Sequence, residues 1–345
     1  MNERAKYTMR DVARLAGVST STVSGVINET VVVSPKRRAR VLEAMAALDY
    51  HPDAIARSLK TGRSNAVGVV VPDITNAFYP EVIRGIEETA QAAGYSVLLC
   101  DSNESNAVEE RHLAALFARR VDGVLLACCA DSKAIELISR RHLPVVFIDR
   151  VPLTSAVNSV CSDNLRAGQS ATEHLIGLGH ERIGMLAGHL GLSPHRDRLE
   201  GFRKAMQEAH LPILDEYLIC GDIQIESGLQ DGKRLLALST PPTAIMASNN
   251  KLLLGVLQAV NEKGFSIPED LSVLGFDDYS WNQHFSPALT AIAQQTHEIG
   301  ARSFKLLLQL ILCSSQEVPA PTRLFLPADL RIRNSTAPPQ KHDLR

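Results

Sequence analysis

The 345-residue chain has no stretch approaching the roughly 20 uninterrupted apolar residues of a membrane span. Its start, MNERAKYTMRDVARLAGVS, has neither the apolar run nor the small-residue cleavage site of a secretory signal, so a cytoplasmic location without a membrane partner is expected. Six cysteines fall at 100, 128, 129, 161, 220 and 313 with no CxxC or Cys/His ligand spacing, which argues against a disulfide framework or metal site and for buried reduced thiols. GxGxxG after the first strand, GxxxxGK[ST], HExxH and GxSxG are all missing, so neither an enzyme nor a cofactor is expected.

What is present is globular: 45% apolar and 21% charged residues, on a length that suggests two or three domains. The net charge of -2 hides an asymmetry. Through Ser64 there are 11 Lys+Arg against 6 Asp+Glu, leaving 25 against 32 for the remainder. A basic head on an acidic body suits attraction of phosphate by one module.

In TMRDVARLAGVSTSTVSGVIN, Val12, Ala13 and Leu15 give a short apolar helix face that Gly17 ends. Ser19 can cap a second helix from Thr20 to Asn28, whose Val23, Val26 and Ile27 turn back to the first. Two short helices around a glycine-containing turn form a helix-turn-helix. Ser34-Pro35 then opens a third helix through Leu48, with Val41, Leu42, Met45 and Leu48 inward and Lys36, Arg37, Arg38 and Arg40 outward. Cations are unusual in a first helical turn, and a phosphate partner would account for them. Thr20, Ser21, Thr22 and Ser24 line the exposed face of the second helix, where hydroxyls can reach bases or phosphates in the major groove.

Beyond 61–65, short apolar runs alternate with amphipathic stretches: AVGVVVP, SVLLC, GVLLA and VVFID, then SVCSD, RIGMLAG, TAIMAS and SVLGFDD as a second half. This alternation predicts α/β architecture, two lobes of doubly wound parallel sheet with a cleft between them. Ligands of such sheets bind beyond the carboxyl ends of the strands. The residues there are Asp73, Asn76 and Phe78; Asp101 and Asn103; Asp149 and Arg150; Asp163 and Asn164; Arg198; Asn249; and Asp277 and Asp278. Such donors and acceptors suit a sugar or polyol, and Phe78 or Trp281 can cover an apolar ring face. The competing reading of Asp163 and Asn249 is as helix caps. His189, His195 and Arg196 either favour an anionic sugar acid or are solvated surface.

The segments DVARLAGVSTSTVS and VSPKRRARVLEAMAALDYHPDAIARSL, with the sensor behind them, resemble the lactose-repressor/galactose-repressor (LacI/GalR) family of bacterial regulators over nearly the whole chain. The resemblance implies three regions: a helix-turn-helix domain at 1–52, a hinge helix and linker at 53–65, and a two-lobed, periplasmic-binding-protein-like effector and dimerisation domain at 66–345. It makes Thr20 and Ser21 the base readers and lets Ser19, Thr22, Ser24, Asn28 and Ser34 hold the DNA backbone, with Thr8 and Arg10 counted among the DNA contacts. Ala56 and Leu59 fall at hinge positions that enter the minor groove. Arg198, Asn249 and Asp277 fall at effector positions, which with Asp73, Asn76, Phe78, Arg150 and Asp163 complete the expected effector set. Gly25 stands where the family commonly has arginine, Asp53 where it has asparagine, Asn250 where it has aspartate, and Ile223 where some members have an aromatic, so operator and effector are not transferable.

A hinge helix of about eight residues is too short to hold alone in water, so it would fold only on DNA beside a partner's hinge, coupling effector to DNA. The expected function is a transcriptional regulator, most simply a repressor of carbohydrate-metabolism genes, binding a pseudo-palindromic double-stranded operator as a homodimer and gated by a sugar-like effector. The alternatives are a purine effector or a phosphorylated carrier-protein corepressor. An exported sugar-binding protein would share the sensor but not the basic head. The C-terminal APPQKHDLR carries no leucine heptad for tetramerisation.

Overall fold

A computed structural model describes residues 7–28, 33–50, 63–152, 156–313 and 320–340. The expected hinge residues Asp53, Ala56 and Leu59 lie outside these, as does the side chain of Asn28. The chain divides into two compact units, Met1–Ser64 and Asn65–Arg345.

The first unit holds α1 (Met9–Ala16), α2 (Thr20–Asn28) and α3 (Pro35–Ala47). Val12, Ala13, Ala16, Val23, Val26, Val41 and Ala44 form its core, with Met45 and Leu48 packed against it. Leu15 and Leu42, expected inside, are 56% and 51% exposed. Each sits one residue, about 100° of helix, away from the stripe that its neighbours bury. Gly17 adopts φ 61° and ψ 42°, the left-handed conformation that ends α1 and turns the chain into α2.

In the second unit, β1 (Ala66–Val71), β2 (Ser96–Asp101), β3 (Gly123–Leu126), β4 (Val145–Ile148) and β5 (Ser159–Ser162) alternate with α4 (Phe78–Ala92), α5 (Asn106–Ala118) and α6 (Ala134–Ser139). The chain continues through α7 (Asn164–Gly177), β6 (Ile183–Gly188), α8 (Ser193–Glu208), β7 (Leu218–Cys220), α9 (Ile225–Leu236), β8 (Ala244–Ala247), α10 (Asn250–Lys263), β9 (Ser272–Phe276) and β10 (Thr290–Ala293). It ends with α11 (Thr296–Leu312), β11 (Arg323–Leu326) and β12 (Asp329–Arg331).

The strands form two six-stranded sheets, β11-β5-β4-β3-β1-β2 and β12-β10-β9-β8-β6-β7, parallel except for β12 against β10. The halves are therefore not consecutive. SVCSD, expected to open the second half, is β5 and pairs with β4 in the first sheet. After β10, α11 returns to pack on α4, β11 joins the first sheet beside β5, and β12 closes the second. Three crossings thus join the lobes.

The apolar runs bury on both faces: β3, β5, β6, β8 and β9 are buried throughout, which is why they read as unbroken hydrophobic stretches rather than alternating ones. The thiols of Cys128, Cys129 and Cys161 are buried and none of the six cysteines is in a disulfide; Cys220 and Cys313 are exposed, contrary to the expectation for the set. Among the described residues, no helix is long and apolar enough to cross a membrane.

Candidate functional site

Several polar residues of the helix-turn-helix are engaged in caps and local hydrogen bonds. Thr8 donates its N–H and hydroxyl to Asp11 at 2.9 and 2.7 Å, bonds that hold the half-buried Asp11 carboxyl below its ordinary range. Ser19 Oγ accepts the Thr22 N–H at 3.2 Å and lies 2.7 Å from Ser21 Oγ and 2.8 Å from Thr22 Oγ1, a hydroxyl cluster at the start of α2. Arg10, Thr20, Ser21 and Ser34 are exposed, while Thr22 and Ser24 are half-buried. Arg40 departs from the expected role. Its guanidinium donates from Nε to Ala16 O at 2.9 Å and from a terminal nitrogen to Ala16 O and to Gly17 O, capping the last carbonyls of α1. Lys36, Arg37 and Arg38 stay exposed on the first turn of α3.

In the sensor, the residues beyond successive strands converge on one cavity between the lobes. Asp73, Asn76 and Phe78 come from beyond β1, Glu104 from beyond β2, and Asp149 and Arg150 from beyond β4. The other lobe adds His195 and Arg198 from α8, Ile223 from beyond β7, Asn249 and Lys251 from beyond β8, Asp277 from beyond β9 and Gln294 from beyond β10. Asp149 and Asp277 hold φ of 59° and 70°, left-handed conformations that cost non-glycine residues on the order of 1 kcal/mol and turn the chain sharply at the strand ends.

Arg198 is 3% exposed. Its Nε donates to Asn164 Oδ1 at 2.8 Å, a terminal nitrogen donates to Ser248 O at 2.5 Å, and its plane lies over the Phe276 ring at 4.1 Å. Gly168 and Gly201 permit this: a Cβ at either would strike backbone across the α7–α8 crossing, so only glycine lets the two helices approach closely enough. Burial lowers the Arg198 pKa, an effect that Asp277 and Asp149 oppose. Burial likewise raises the pKa of both carboxyls, with Arg198 pulling Asp277 back, and Arg150 then Arg198 pulling Asp149 back. Tyr79 donates to Asp149 Oδ2 at 3.1 Å.

Each other cation has a carboxylate. Arg150 forks onto Glu104 through bonds of 2.7 and 2.8 Å, and although burial acts to lower its pKa, Tyr79, Glu104 and Asp149 raise it. Lys251 reaches Asp73 at 2.6 Å and Gln224 at 3.0 Å. Asn249 both lines the cavity and caps α10, accepting the Leu252 N–H at 2.7 Å. Gln294 donates its amide to Asp277 Oδ1 at 2.6 Å, and its own Oε1 is buried without a hydrogen-bond partner.

Several expected residues fall elsewhere. Asp163 is the cap of α7, accepting the Arg166 N–H at 3.0 Å, and does not line the cavity; Asn164 enters the site through Arg198 instead. Asp101 accepts from Asn103 N in a turn, and the residue that reaches the cavity is Glu104. Asp278 is engaged by both terminal nitrogens of Arg333 at 2.7 Å. Arg196 pairs with its neighbour Asp197 and His189 is exposed, whereas His195 is buried with Nδ1 2.8 Å from Ser248 Oγ and 3.1 Å from Ala187 O. Burial, with Arg198 and Arg150 nearby, holds its pKa well below the ordinary value. Glu104, Lys251 and Gln294 join the site without having been expected there; the first two lie just past strand ends already singled out, so position alone pointed to them.

A helix-turn-helix with a polar exposed helix, on one chain with a two-lobed ligand cleft, defines an effector-sensing regulator of transcription. The description "Bacterial regulatory proteins, lacI family" matches residues 8–53, and "Periplasmic binding protein-like domain" matches residues 172–336. The HTH-type transcriptional repressor PurR of Actinobacillus pleuropneumoniae is 36% identical over 329 residues, 95% of this chain and 98% of that protein. The Lac repressor dimer bound to operator and the anti-inducer ONPF superposes with a TM-score of 0.84 at 29% identity, covering 96% of this chain and 99% of the other. A complex of the transcriptional regulator CelR with cellobiose gives 0.74 at 30% identity, covering 95% and 99%. The chain belongs to the LacI family: it is a DNA-binding transcriptional repressor, not an enzyme.

Proposed function

We propose that this repressor binds a pseudo-palindromic operator as a homodimer and that its cleft takes a neutral, hydroxyl-rich ring of the sugar class, whose binding sets operator affinity. A single helix-turn-helix reads half a site, so two copies are needed for a palindrome. Thr20 and Ser21 are the base readers, Ser19, Thr22 and Ser34 the backbone contacts, and Arg198, Asn249 and Asp277 the principal effector contacts in this reading.

The observation that carries it is the charge pairing of the cleft. Arg150 is matched by Glu104, Lys251 by Asp73, and Arg198 by Asp277 and Asp149. An anionic sugar acid or phosphate would have to break one of these pairs, while hydroxyls can donate to carboxylates and accept from guanidinium and amide groups without breaking any. The buried Gln294 Oε1 awaits a donor of this kind.

A purine effector is the other reading, and the relatives favour it over a sugar, since PurR repressors align with almost the whole chain. A purine base is also neutral and offers N–H donors to Asp277 and acceptors to Arg198. It asks for a flat apolar slot, and the aromatic pair here, Phe78 and Tyr79, meets edge-on at 87°. Thermal denaturation of the full-length protein with ribose, glucose, galactose and cellobiose, against hypoxanthine, guanine and adenine, separates the two. A native-state ligand raises stability by RT ln(1 + [L]/Kd), so stabilisation by purines alone sinks the sugar reading.

A further inference from the structure

The strands of the first sheet begin at the edge where the chain enters the sensor, and that edge is basic. Asn65, the residue before β1, is pinned there: its N–H donates to Asp122 Oδ2 at 2.9 Å and its carbonyl accepts the Ser96 N–H at 2.9 Å. α5 and α6 end at the same edge, delivering Arg119 and Arg120 just before β3, and Arg140, Arg141 and His142 just before β4. We infer that this edge is a second DNA contact, which takes phosphates of the duplex flanking the operator without reading sequence. The inference rests on the DNA binding of the repressor and holds whichever effector fills the cleft.

Three observations carry it. First, the two basic runs form one exposed patch. β3 and β4 are neighbouring parallel strands with Val124 opposite Val145, the Val124 N–H donates to Pro144 O at 3.0 Å, and the Arg141 guanidinium lies over the Phe117 ring of α5 at 5.3 Å. All five basic side chains are exposed, and among the described residues none of the four arginines has a carboxylate partner. The carboxylate of Asp122, which follows them before β3, is engaged by the Asn65 N–H.

Second, the patch runs against the charge of its own domain, which has 25 Lys+Arg against 32 Asp+Glu beyond Ser64. Like charges gathered without counter-ions repel, and a polyanion relieves them. Helix dipoles explain only part of the cluster, since their effect is confined to the last turn and α6 has just six residues. Arg120 and His142 also hold φ of 54° and 51°, the left-handed slot that Gly94 and Gly264 fill after α4 and α10, so cationic side chains stand where the backbone favours glycine.

Third, operator DNA is tethered to this edge. Tyr50, the last described residue of the head, and Asn65 are 15 positions apart, a span of at most about 50 Å. That is the length of about 15 bp of duplex, so a head on its half-site keeps flanking phosphates within the tether.

The operator is recovered by selection from random duplexes with the full-length protein, then placed at the centre of a duplex of about 60 bp or trimmed to about 20 bp, enough for two half-sites one helical turn apart. Fluorescence anisotropy follows binding by the wild type and by the triple variant Arg119→Gln, Arg140→Gln, Arg141→Gln as salt is raised. The wild type should bind the longer duplex about tenfold more tightly at about 100 mM salt, with a steeper fall of log K against log salt. The variant should lose this advantage, its slope on the longer duplex shrinking by about 0.9 for each phosphate contact removed, while its affinity for the shorter duplex and its melting temperature stay as in the wild type. Equal binding of both lengths by the wild type refutes the contact, as does a length advantage that the variant keeps. Loss of affinity for both lengths alike refutes it too, assigning these arginines to the fold or to the head.

Discussion

Lys251, in the first turn of α10, places its ammonium 2.6 Å from the Asp73 carboxylate just past β1, so a charge pair spans the effector cleft from one lobe to the other. Both side chains are mostly buried, at 19% and 15% exposure. Burial acts to raise the Asp73 pKa, but the hydrogen bonds from Lys251 and Thr75 outweigh it and the net shift is downward. A carboxylate with a depressed pKa stabilises the fold above its unfolded pKa, and that contribution is lost as pH falls through the lower folded value. At neutral pH the pair is therefore fully formed, and it must part if the lobes open to admit a ligand.

Removing one partner leaves the other charge mostly buried without its counter-ion. Lys251→Met should destabilise the sensor by about 1–3 kcal/mol, and Lys251→Met with Asp73→Asn should restore part of that loss. A double-mutant cycle in urea measures the coupling; a coupling energy indistinguishable from zero would remove the pair from any account of lobe closure.

Arg198 offers a sharper separation of stability from response. Arg198→Met deletes the donors to Asn164 and Ser248 and leaves Asp149 and Asp277 buried without their shared cation. The expected cost is about 2–4 kcal/mol, with loss of any effector-induced rise in melting temperature. A folded Arg198→Met protein, checked by circular dichroism, that still responds fully to the effector would show the cleft assignment to be wrong.

Much of this cleft was legible because parallel strands buried on both faces write themselves as unbroken runs such as VGVVV and AIMA, and a cleft of this kind is built from the residues just past each run. Asp73, Asn76, Arg150, Asn249 and Asp277 were found in this way, whereas Arg198, inside α8, was pointed to by the family resemblance. The sheet to which β5 belongs was not legible, because a four-residue strand carries no mark of its partner. β7 and β12, of three residues each, fall below the length at which a pattern is readable. Asp163 was misplaced because an aspartate after a strand and before a helix has the same local sequence whether it caps or binds. The capping contacts of Arg40 were not legible because its partners, the carbonyls of Ala16 and Gly17, are more than twenty positions away.

His195 sets an expected acid limit. Its folded pKa is well below 6.5, so as pH falls below about 6.5 the unfolded chain takes up a proton that the folded chain refuses, and stability is lost down to the folded value. Burial depresses His174 and His180 in the same sense. The slope is at most about 1.4 kcal/mol per pH unit for each such group. Urea midpoints of the wild type should fall between pH 7 and 5.5, and His195→Gln should fall less steeply; parallel curves would mean that His195 titrates normally.

The first unit provides a test of what Arg40 does. If it caps α1, Arg40→Ala should destabilise the helix-turn-helix by about 1–2 kcal/mol, since two carbonyls at the helix end lose a charged donor. It should lower affinity for any DNA fragment without changing the salt dependence, because the folded protein still makes the same phosphate contacts. If Arg40 instead neutralises a phosphate, the slope of log K against log salt should shrink by about 0.9 while the melting of the unit stays unchanged. Lys36→Ala and Arg37→Ala, exposed on the first turn of α3, supply the comparison: they should reduce the salt slope and leave stability alone. Equal behaviour of all three variants would count against the capping role assigned to Arg40.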